Sequence, residues 1–295
     1  MTIWTDVIVA LVFAVLIPFI AMRMLVPSLK EHAPSMHNFR GNKVYNGLGV
    51  VWIIWAISLF LAYSLQAIGL YGSILLSLLQ LPLILIIGCC AFGMFDDWAG
   101  DSSAKGFKGH VKALIHGRFT TGGLKMIGIG LLSFAIALQV KSFTETAVID
   151  VILATCVIAL SANLMNLFDL RPGRACKVYV FGLAIAIFLL FVCSTEFCLM
   201  LTPAQKLLIF VAGIGPVIAI LKYDLNEEGM LGDSGANPMG ALIGVLLVLE
   251  LPTIGLAIAL VILVALNLLS EKVSFSKLIA GNKVLNAIDM LGRKK

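Results

Sequence analysis

The sequence predicts an all-α, polytopic integral membrane protein with about nine to ten transmembrane helices. The 295-residue chain is 60% hydrophobic and only 13% charged, and its mean hydropathy is +1.05. Its apolar residues fall into runs of about 20, the length of helix that crosses the hydrocarbon core of a bilayer. Soluble domains carry roughly twice this share of charged residues. The composition therefore excludes a soluble globular protein.

Nine apolar segments carry the helix prediction. They cover residues 4–26, 47–70, 73–95, 122–140, 147–168, 178–200, 204–222, 236–249 and 254–269. The eighth is short, and Pro238 falls in its first turn, where proline is tolerated. The N-terminus lacks the basic region of a cleaved signal peptide, so we expect the first segment to be retained as a helix. We predict a transmembrane domain over residues 1–270 and a basic amphipathic tail over residues 271–295.

Lysine and arginine predict the orientation of these helices. The basic residues concentrate in alternate loops and in the C-terminal segment, whereas the opposite loops hold only Lys141 and Lys206. Basic loops face the cytoplasm in membrane proteins. The sequence therefore predicts a multi-pass protein of the cell (plasma or inner) membrane, with the N-terminus outside, and its basic loops are expected to contact membrane lipids.

Charge and cysteine usage exclude several other classes of function. The net charge of +5 does not predict a nucleic-acid partner, because the charges are confined to short loops. The six cysteines have neither zinc-ligand nor disulfide-framework spacing, and most lie inside apolar runs. There they are expected to pack as small hydrophobic residues.

Aspartates at three predicted helix ends suggest one shared polar site. Asp96 and Asp97 end the third segment, while Asp169 and Asp233 stand at other helix ends on the same predicted face. A carboxylate near lipid is costly, so it needs a cation, a proton relay or a substrate. Carboxylates from several helix ends form a hard-oxygen site suited to Mg²⁺, which binds one or two of them together with phosphate oxygens.

Asn163, Asn166 and Asp169 follow one another at intervals of three residues near the end of the fifth segment. This spacing places them on one helix face, so they are candidates for substrate binding. Polar residues in the last turns of an apolar helix also form hydrogen bonds with neighbouring helices, and that alternative stays open at this point.

Glycines surround Asp233 at the start of the eighth segment. The stretch Gly232-Asp233-Ser234-Gly235 allows a tight turn next to a ligand, and Asn237 follows it. The free N–H groups at this helix start could face an anion. Asp233 could equally cap the helix, and the two roles are compatible.

Basic residues in the same loops are candidates for binding phosphate. They offer the charge compensation that a phosphate group needs. Each of them alone could instead anchor the protein to lipid headgroups. The candidates are Lys43, Lys108, His110, Lys112, Arg171 and Arg174.

The ordered set of motifs resembles the polyprenyl-phosphate N-acetylhexosamine-1-phosphate transferase superfamily. The motifs are Phe95-Asp96-Asp97, Gly106-Phe-Lys108-Gly-His110-Val-Lys112, Asn163-x-x-Asn166-x-x-Asp169-x-x-x-Gly173 and Gly232-Asp233-Ser234-Gly235. The superfamily includes the phospho-N-acetylmuramoyl-pentapeptide transferase of peptidoglycan synthesis. It also includes the N-acetylglucosamine-1-phosphate transferases that start other envelope glycans.

The resemblance implies a Mg²⁺-dependent phosphotransferase. Such an enzyme moves a hexosamine 1-phosphate from a UDP-sugar to undecaprenyl or another polyprenyl phosphate and releases UMP, with its active site facing the cytoplasm. By position, Asp96, Asp97 and Asp233 resemble the catalytic acids, and Asp233, Asp97 and Asp169 the metal ligands. The resemblance implies that the remaining candidates bind substrate and that the protein forms a homodimer. The candidates in this group are Lys43, Lys108, His110, Lys112, Asn163, Asn166, Asp169, Arg171, Arg174, Ser234 and Asn237.

The sequence departs from the family where the sugar is recognised. The stretch after the last predicted helix contains no histidine, whereas the family has a histidine-rich loop there. The alternative is a catalytically silent relative that binds lipid phosphate or acts as a scaffold. A transporter is a further alternative, although the polar residues cluster at one face rather than at mid-membrane.

Overall fold

Twelve helices and one small sheet make up the part of the chain that the structure describes. This computed structural model describes residues 3–70, 72–73, 79–100, 109, 113, 115–118, 120–141 and 147–293. The helices are α1 Ile3–His32, α2 Leu48–Ala67, α3 Leu83–Ala99, α4 Thr121–Lys141, α5 Ala147–Phe168, α6 Arg174–Val192, α7 Glu196–Met200, α8 Pro203–Leu225, α9 Asp233–Glu250, α10 Thr253–Lys272, α11 Phe275–Gly281 and α12 Lys283–Met290.

Seven of these helices are long and apolar enough to cross a membrane. They are α1, α2, α4, α5, α6, α8 and α10, and they range from 19 to 30 residues. Every backbone polar group inside a bilayer must be paired within the protein, a requirement that a helix meets by itself. The prediction of an all-α, multi-pass membrane protein is confirmed.

The predicted count of nine to ten spanning helices is not supported: among the described residues, predicted segments 73–95 and 236–249 are not candidate spans, and a third segment is divided. Within the described part of segment 73–95, α3 begins at Leu83, with Pro82 at its N-cap. The 17 residues of α3 are fewer than the about 20 that cross the hydrocarbon core of a bilayer. Segment 236–249 lies within α9, whose 18 residues include a polar first turn. Segment 178–200 is divided into α6 and α7, with Thr195 capping the second helix.

Helix α9 occupies the centre of the bundle. Nearly all of its residues are buried, and it packs mainly against α5 and α3. Glycines allow the close approach to α5: a Cβ atom on Gly244 would lie 2.7 Å from the Cα atom of Ile158, and one on Gly240 would overlap the backbone of Ser161. Small residues at helix contacts are typical of membrane bundles, because they let backbones come close together.

A three-stranded sheet lies at one end of the bundle. Strand β1 (Ser35–His37) pairs antiparallel with β2 (Lys43–Asn46), and β2 pairs parallel with β3 (Gly229–Met230). The register places Asn46 opposite Met230, so the segment after α1 is joined to the turn before α9. The C-terminal ends of α3, α5, α8 and α10 and the N-terminal ends of α4, α6 and α9 lie at this same end, which we call the site end.

Candidate functional site

Asp96 lies at the site end in the last turn of α3, where two residues of α4 bind it. The hydroxyl of Thr121 donates a hydrogen bond to Oδ1 of Asp96 over 2.6 Å. The Nζ atom of Lys125 donates to Oδ2 of Asp96 over 2.7 Å and also pairs with Oδ2 of Asp233. Thr121 and Lys125 are four residues apart, so both face the same side of α4. Lys125 therefore links two of the predicted catalytic acids.

Asp97 caps helix α9 from the neighbouring helix. Its Oδ1 atom accepts a hydrogen bond from the Asp233 N–H group, and its Oδ2 atom accepts one from the Ser234 N–H group, both over 3.0 Å. The first N–H groups of a helix have no partner within the helix and favour a negative charge. The N-cap position of α9 is held by Gly232, with no side-chain cap of its own. Asp233 thus does not cap the helix, and its side chain is directed to Lys125.

The turn before α9 requires glycine because the acids approach it closely. Gly232 has φ +67°, a conformation that residues with a Cβ atom rarely adopt. A Cβ atom there would lie 2.5 Å from Oδ1 of Asn46 and 2.6 Å from Oδ2 of Asp97. The sequence therefore needs glycine at this position for the Asp97 carboxylate to reach the start of α9.

Asp169 completes a group of four acids that we call the carboxylate cluster: Asp96, Asp97, Asp169 and Asp233. Asp169 follows the end of α5, and its N–H group donates to the Asn166 carbonyl over 3.0 Å. Burial raises the pKa of its carboxyl well above the usual range, and the charges of Asp224, Asp233 and Asp97 raise it further. The Asp169 carboxyl also interacts with the backbone of Gly232, the residue before Asp233.

Among the described residues, Lys125 supplies the one ammonium group that pairs with the carboxylate cluster. Asp97 accepts two backbone N–H groups at the start of α9, and Asp233 shares the Lys125 ammonium with Asp96. Four acids against one ammonium group favour binding of a further cation.

A cavity of about 220 Å³ opens beside Asp169. The guanidinium of Arg171 lies over the Phe39 ring, with its Cζ atom 4.2 Å from the ring centroid. Glu227 contacts the segment between β1 and β2. It accepts a hydrogen bond from Nδ2 of Asn38 over 2.7 Å and forms an ion pair with Nε of Arg40 over 3.0 Å. The lining consists of residues from the sheet and its β1–β2 connection, the segment after α5, and the end of α8 with the segment before α9: His37, Asn38, Phe39, Val44, Asp169, Leu170, Arg171, Pro172, Asp224, Glu227, Gly229, Met230 and Leu231.

Several predicted substrate-binding residues lie apart from the carboxylate cluster or have other partners. Lys43 is exposed on β2. Asn163 is exposed and donates to Oδ1 of Asn267 in α10 over 2.7 Å, the helix-to-helix contact that the alternative interpretation predicts. Arg174 is 4% exposed and pairs with Asp289 in α12.

Other predicted residues are inside the site end, or outside the described residues. Ser234 and Asn237 are buried in the first turns of α9. The Nδ2 atom of Asn237 has no hydrogen-bond partner in the described part of the chain, so it is free to donate a hydrogen bond to a ligand. The basic loop residues Lys108, His110 and Lys112 lie outside the described residues.

The donor chemistry of the carboxylate cluster is compatible with Mg²⁺. Among the described residues, no group of three or more His, Cys, Asp or Glu side chains is arranged to hold a metal ion. Mg²⁺ commonly uses only one or two carboxylates and completes its shell with water and phosphate oxygens, so three converging acids are not required. Asp169 and Asp233 fit this role best, since both oxygens of Asp97 already accept backbone hydrogen bonds.

Lys125 is the main site residue that the sequence reasoning missed. It lies one turn inside an otherwise apolar helix, in register with Thr121. An ionisable residue inside a spanning segment indicates a function by default, so this position alone could have identified it. Asp224 was not among the predicted site residues, yet its Oδ2 atom accepts a hydrogen bond from the Gly173 N–H group over 2.8 Å. That partner is visible only in three dimensions.

The chain matches no protein-family model and shows no significant match to the curated proteins with which it was compared.

Proposed function

We propose that this protein is an integral membrane transferase. It would move a hexosamine 1-phosphate from a UDP-sugar to undecaprenyl or another polyprenyl phosphate and release UMP, thereby initiating a cell-envelope glycan. The observation that carries this proposal is the carboxylate cluster with Lys125 at one end of the bundle. Buried excess negative charge beside a cavity suits Mg²⁺ and the phosphates that Mg²⁺ accompanies.

The reaction needs two reactants held at the membrane surface in a suitable geometry. An oxygen of the lipid phosphate attacks the β-phosphorus of the UDP-sugar, and the bond from that phosphorus to the bridging oxygen breaks, releasing UMP. Bound Mg²⁺ supplies charge compensation for the phosphate oxygens. The protein's part is to position the reactants, which can remove a large share of the barrier.

Residues of the chain can be assigned to these tasks. Asp169 and Asp233 would hold Mg²⁺. Asp96, which Thr121 and Lys125 hold in place, would act at the lipid phosphate. Asp97 would fix the start of α9 and thereby the position of Asp233. The cavity beside Asp169, with Arg171 over Phe39, would receive the soluble substrate.

We further propose that α3 and α9 also cross the membrane, giving nine spans, and that the site end faces the cytoplasm. Helix α9 needs no lipid-facing apolar surface because the other helices surround it. The distribution of charge supports the orientation. Among the described cations, Lys141 and Lys206 are near the opposite end, whereas most others are at the site end: Lys30, Arg40, Lys43, Arg171, Arg174, Lys177, Lys222 and Lys272.

UMP release from the purified protein tests the proposed activity. The protein is placed in lipid nanodiscs with undecaprenyl phosphate and given a panel of UDP-sugars, with Mg²⁺ or with EDTA. We expect UMP from at least one UDP-sugar, only with Mg²⁺, and its loss in Asp233→Asn. Glu271→Gln, a change of an exposed carboxylate in α10, is the matched control. UMP release by Asp233→Asn at the wild-type rate would contradict the metal role of Asp233.

The same preparation separates the proposal from its alternatives. Binding of undecaprenyl phosphate without UMP release from any sugar would support the catalytically silent relative. The variants Asp96→Cys and Asp233→Cys test the transporter alternative by labelling of the introduced thiol. Labelling of both from the cytoplasmic side alone would support an enzyme with a cytosolic site, and labelling from both sides would support a transporter.

A further inference from the structure

The C-terminal tail, which we define as residues 273–293, is bound to the start of α6 by a buried ion pair. Arg174 donates to Asp289 twice, from Nε to Oδ1 over 2.8 Å and from Nη2 to Oδ2 over 2.9 Å. Its third nitrogen, Nη1, donates to the Ser276 hydroxyl over 2.7 Å. The Arg174 side chain is 4% exposed and the Asp289 side chain 7%. A bidentate ion pair of this kind fixes the relative orientation of the two side chains as well as their distance.

Two further cations extend this contact on both sides of Arg174. The Nε atom of Arg293 donates to the Pro172 carbonyl over 2.7 Å, and its Nη2 atom donates to Oδ1 of Asp289 over 2.5 Å. The Nζ atom of Lys177 donates to the Asp289 carbonyl over 2.7 Å. The tail is therefore attached to the chain before, at and after Arg174.

The tail also packs against the residue that precedes Asp169. The Phe275 ring stacks on the Phe168 ring, with centroids 4.9 Å apart and planes 13° from parallel. Asp169 is thus flanked by two residues that the tail contacts, Phe168 and Pro172. We call residues 169–173 the Asp169 loop.

A second element holds the Asp169 loop from the opposite side. Asp224, at the end of α8, accepts the Gly173 N–H group over 2.8 Å. Gly173 has φ +69°, so the chain turns sharply there into α6. The loop is held between α8 and the tail, and the tail contributes most of the charged contacts.

We propose that the tail is a positioning element of the site and that Asp289, through Arg174, holds the Asp169 loop in register with the rest of the carboxylate cluster. This inference rests on the proposed function only for its catalytic consequence, because the contact itself can be tested without activity. Surface ion pairs contribute little, whereas removing one partner of a buried pair leaves an uncompensated charge. Asp289→Asn should therefore loosen the loop rather than only the tail.

Hydrogen–deuterium exchange of the intact protein in nanodiscs tests the contact. We expect Asp289→Asn to increase the exchange rate of backbone amides in residues 168–177 at least several-fold, while Asp289→Glu increases it less. Glu271→Gln removes a carboxylate from an exposed position close to the tail and should leave that segment unchanged. Faster exchange confined to residues 273–293 would overturn the proposal, because the tail would then detach without affecting the loop.

Arg293→Gln keeps the test decisive if Asp289→Asn does not fold. It leaves the pair of Arg174 and Asp289 in place but removes the Arg293 hydrogen bonds to the Pro172 carbonyl and to Oδ1 of Asp289. We expect a smaller increase of exchange within the same segment. An unchanged rate in residues 168–177 would count against the proposal.

The catalytic consequence is measured as the Mg²⁺ concentration that gives half-maximal UMP release. Because the tail acts on Asp169, Asp289→Asn should raise this concentration about tenfold and lower the maximal rate less. An equal loss at all Mg²⁺ concentrations would indicate simple loss of folded protein and would overturn the positioning role. If the wild type releases no UMP, the proposed function fails, and the exchange result still decides whether the tail holds the loop.

Discussion

Lys125 allows the sharpest test of the electrostatics of the carboxylate cluster. Its ammonium group binds Asp96 over 2.7 Å and also pairs with Asp233, and the side chain is only 15% exposed. Lys125→Met removes the charge while keeping an unbranched side chain of similar length that suits the apolar helix. The change leaves four acids at the site end without their bridging cation.

The expected loss of stability follows from the burial of this pair. Removing one partner of a fully buried ion pair costs about 3–5 kcal/mol. The three side chains here are 15%, 18% and 21% exposed, so water screens part of the remaining charge. We therefore expect a loss of about 2 kcal/mol in the free energy of unfolding, because the exposed fraction reduces the penalty. For a chain of 295 residues, that corresponds to a melting temperature lower by about 3 °C.

Mg²⁺ should restore more stability to this variant than to the wild type. Without Lys125 the carboxylate cluster is more negative and its oxygens are free to bind a cation, so Mg²⁺ should bind it more tightly. A ligand that binds only the folded protein raises stability with its concentration. Melting curves in detergent, recorded with EDTA and at increasing Mg²⁺ concentrations, measure this difference.

Lys272→Met is the matched control, because Lys272 is exposed at the last residue of α10. We expect its melting temperature and its response to Mg²⁺ to equal those of the wild type. The reasoning would be refuted if Lys125→Met lost no more stability than this control, or if Mg²⁺ raised the melting temperature of both variants and the wild type equally.

The turn and the caps around the site allow three further predictions. Gly232→Ala should lower UMP release at least tenfold, because its Cβ atom would meet the Asp97 carboxylate, whereas Gly41→Ala, also at positive φ but with nothing within 4 Å, should not affect activity. Asp97→Asn should reduce UMP release at least a hundredfold while the melting temperature falls only slightly, since one backbone hydrogen bond of about 1 kcal/mol is lost. Asp224→Ala should cost about 1–3 kcal/mol in unfolding free energy by leaving the buried Gly173 N–H group without its partner, which chemical denaturation would detect.

The sequence predicted the helices well where hydropathy alone decides them. Seven of the predicted spans correspond to helices that are long and apolar enough, because burial in lipid requires apolar side chains all along such a segment. The prediction of membrane spans was less accurate for segments 73–95 and 236–249, which correspond to α3 and α9. Pro82 is the N-cap of the 17-residue α3, and α9 begins with polar residues that its neighbours surround.

The acids of the candidate site could be identified from their places at helix ends, but their partners could not. Asp96, Asp97, Asp169 and Asp233 stood out because carboxylates beside apolar segments are costly. Lys125 belongs with them through contacts to residues 29 and 108 positions away in the chain, which no local pattern encodes. The partner of Arg174 is likewise 115 positions away.

The sequence by itself therefore determined that this is a helical membrane protein with acids gathered at helix ends, since both conclusions follow from the side chains' own cost in lipid. Only the tertiary structure decided what each charged group does. It directs Asp97 to the start of α9, Lys125 to Asp96 and Asp233, and Arg174 to the tail. The physical reason is that the role of a charge depends on its neighbours across the bundle, and the packing of the helices sets those neighbours.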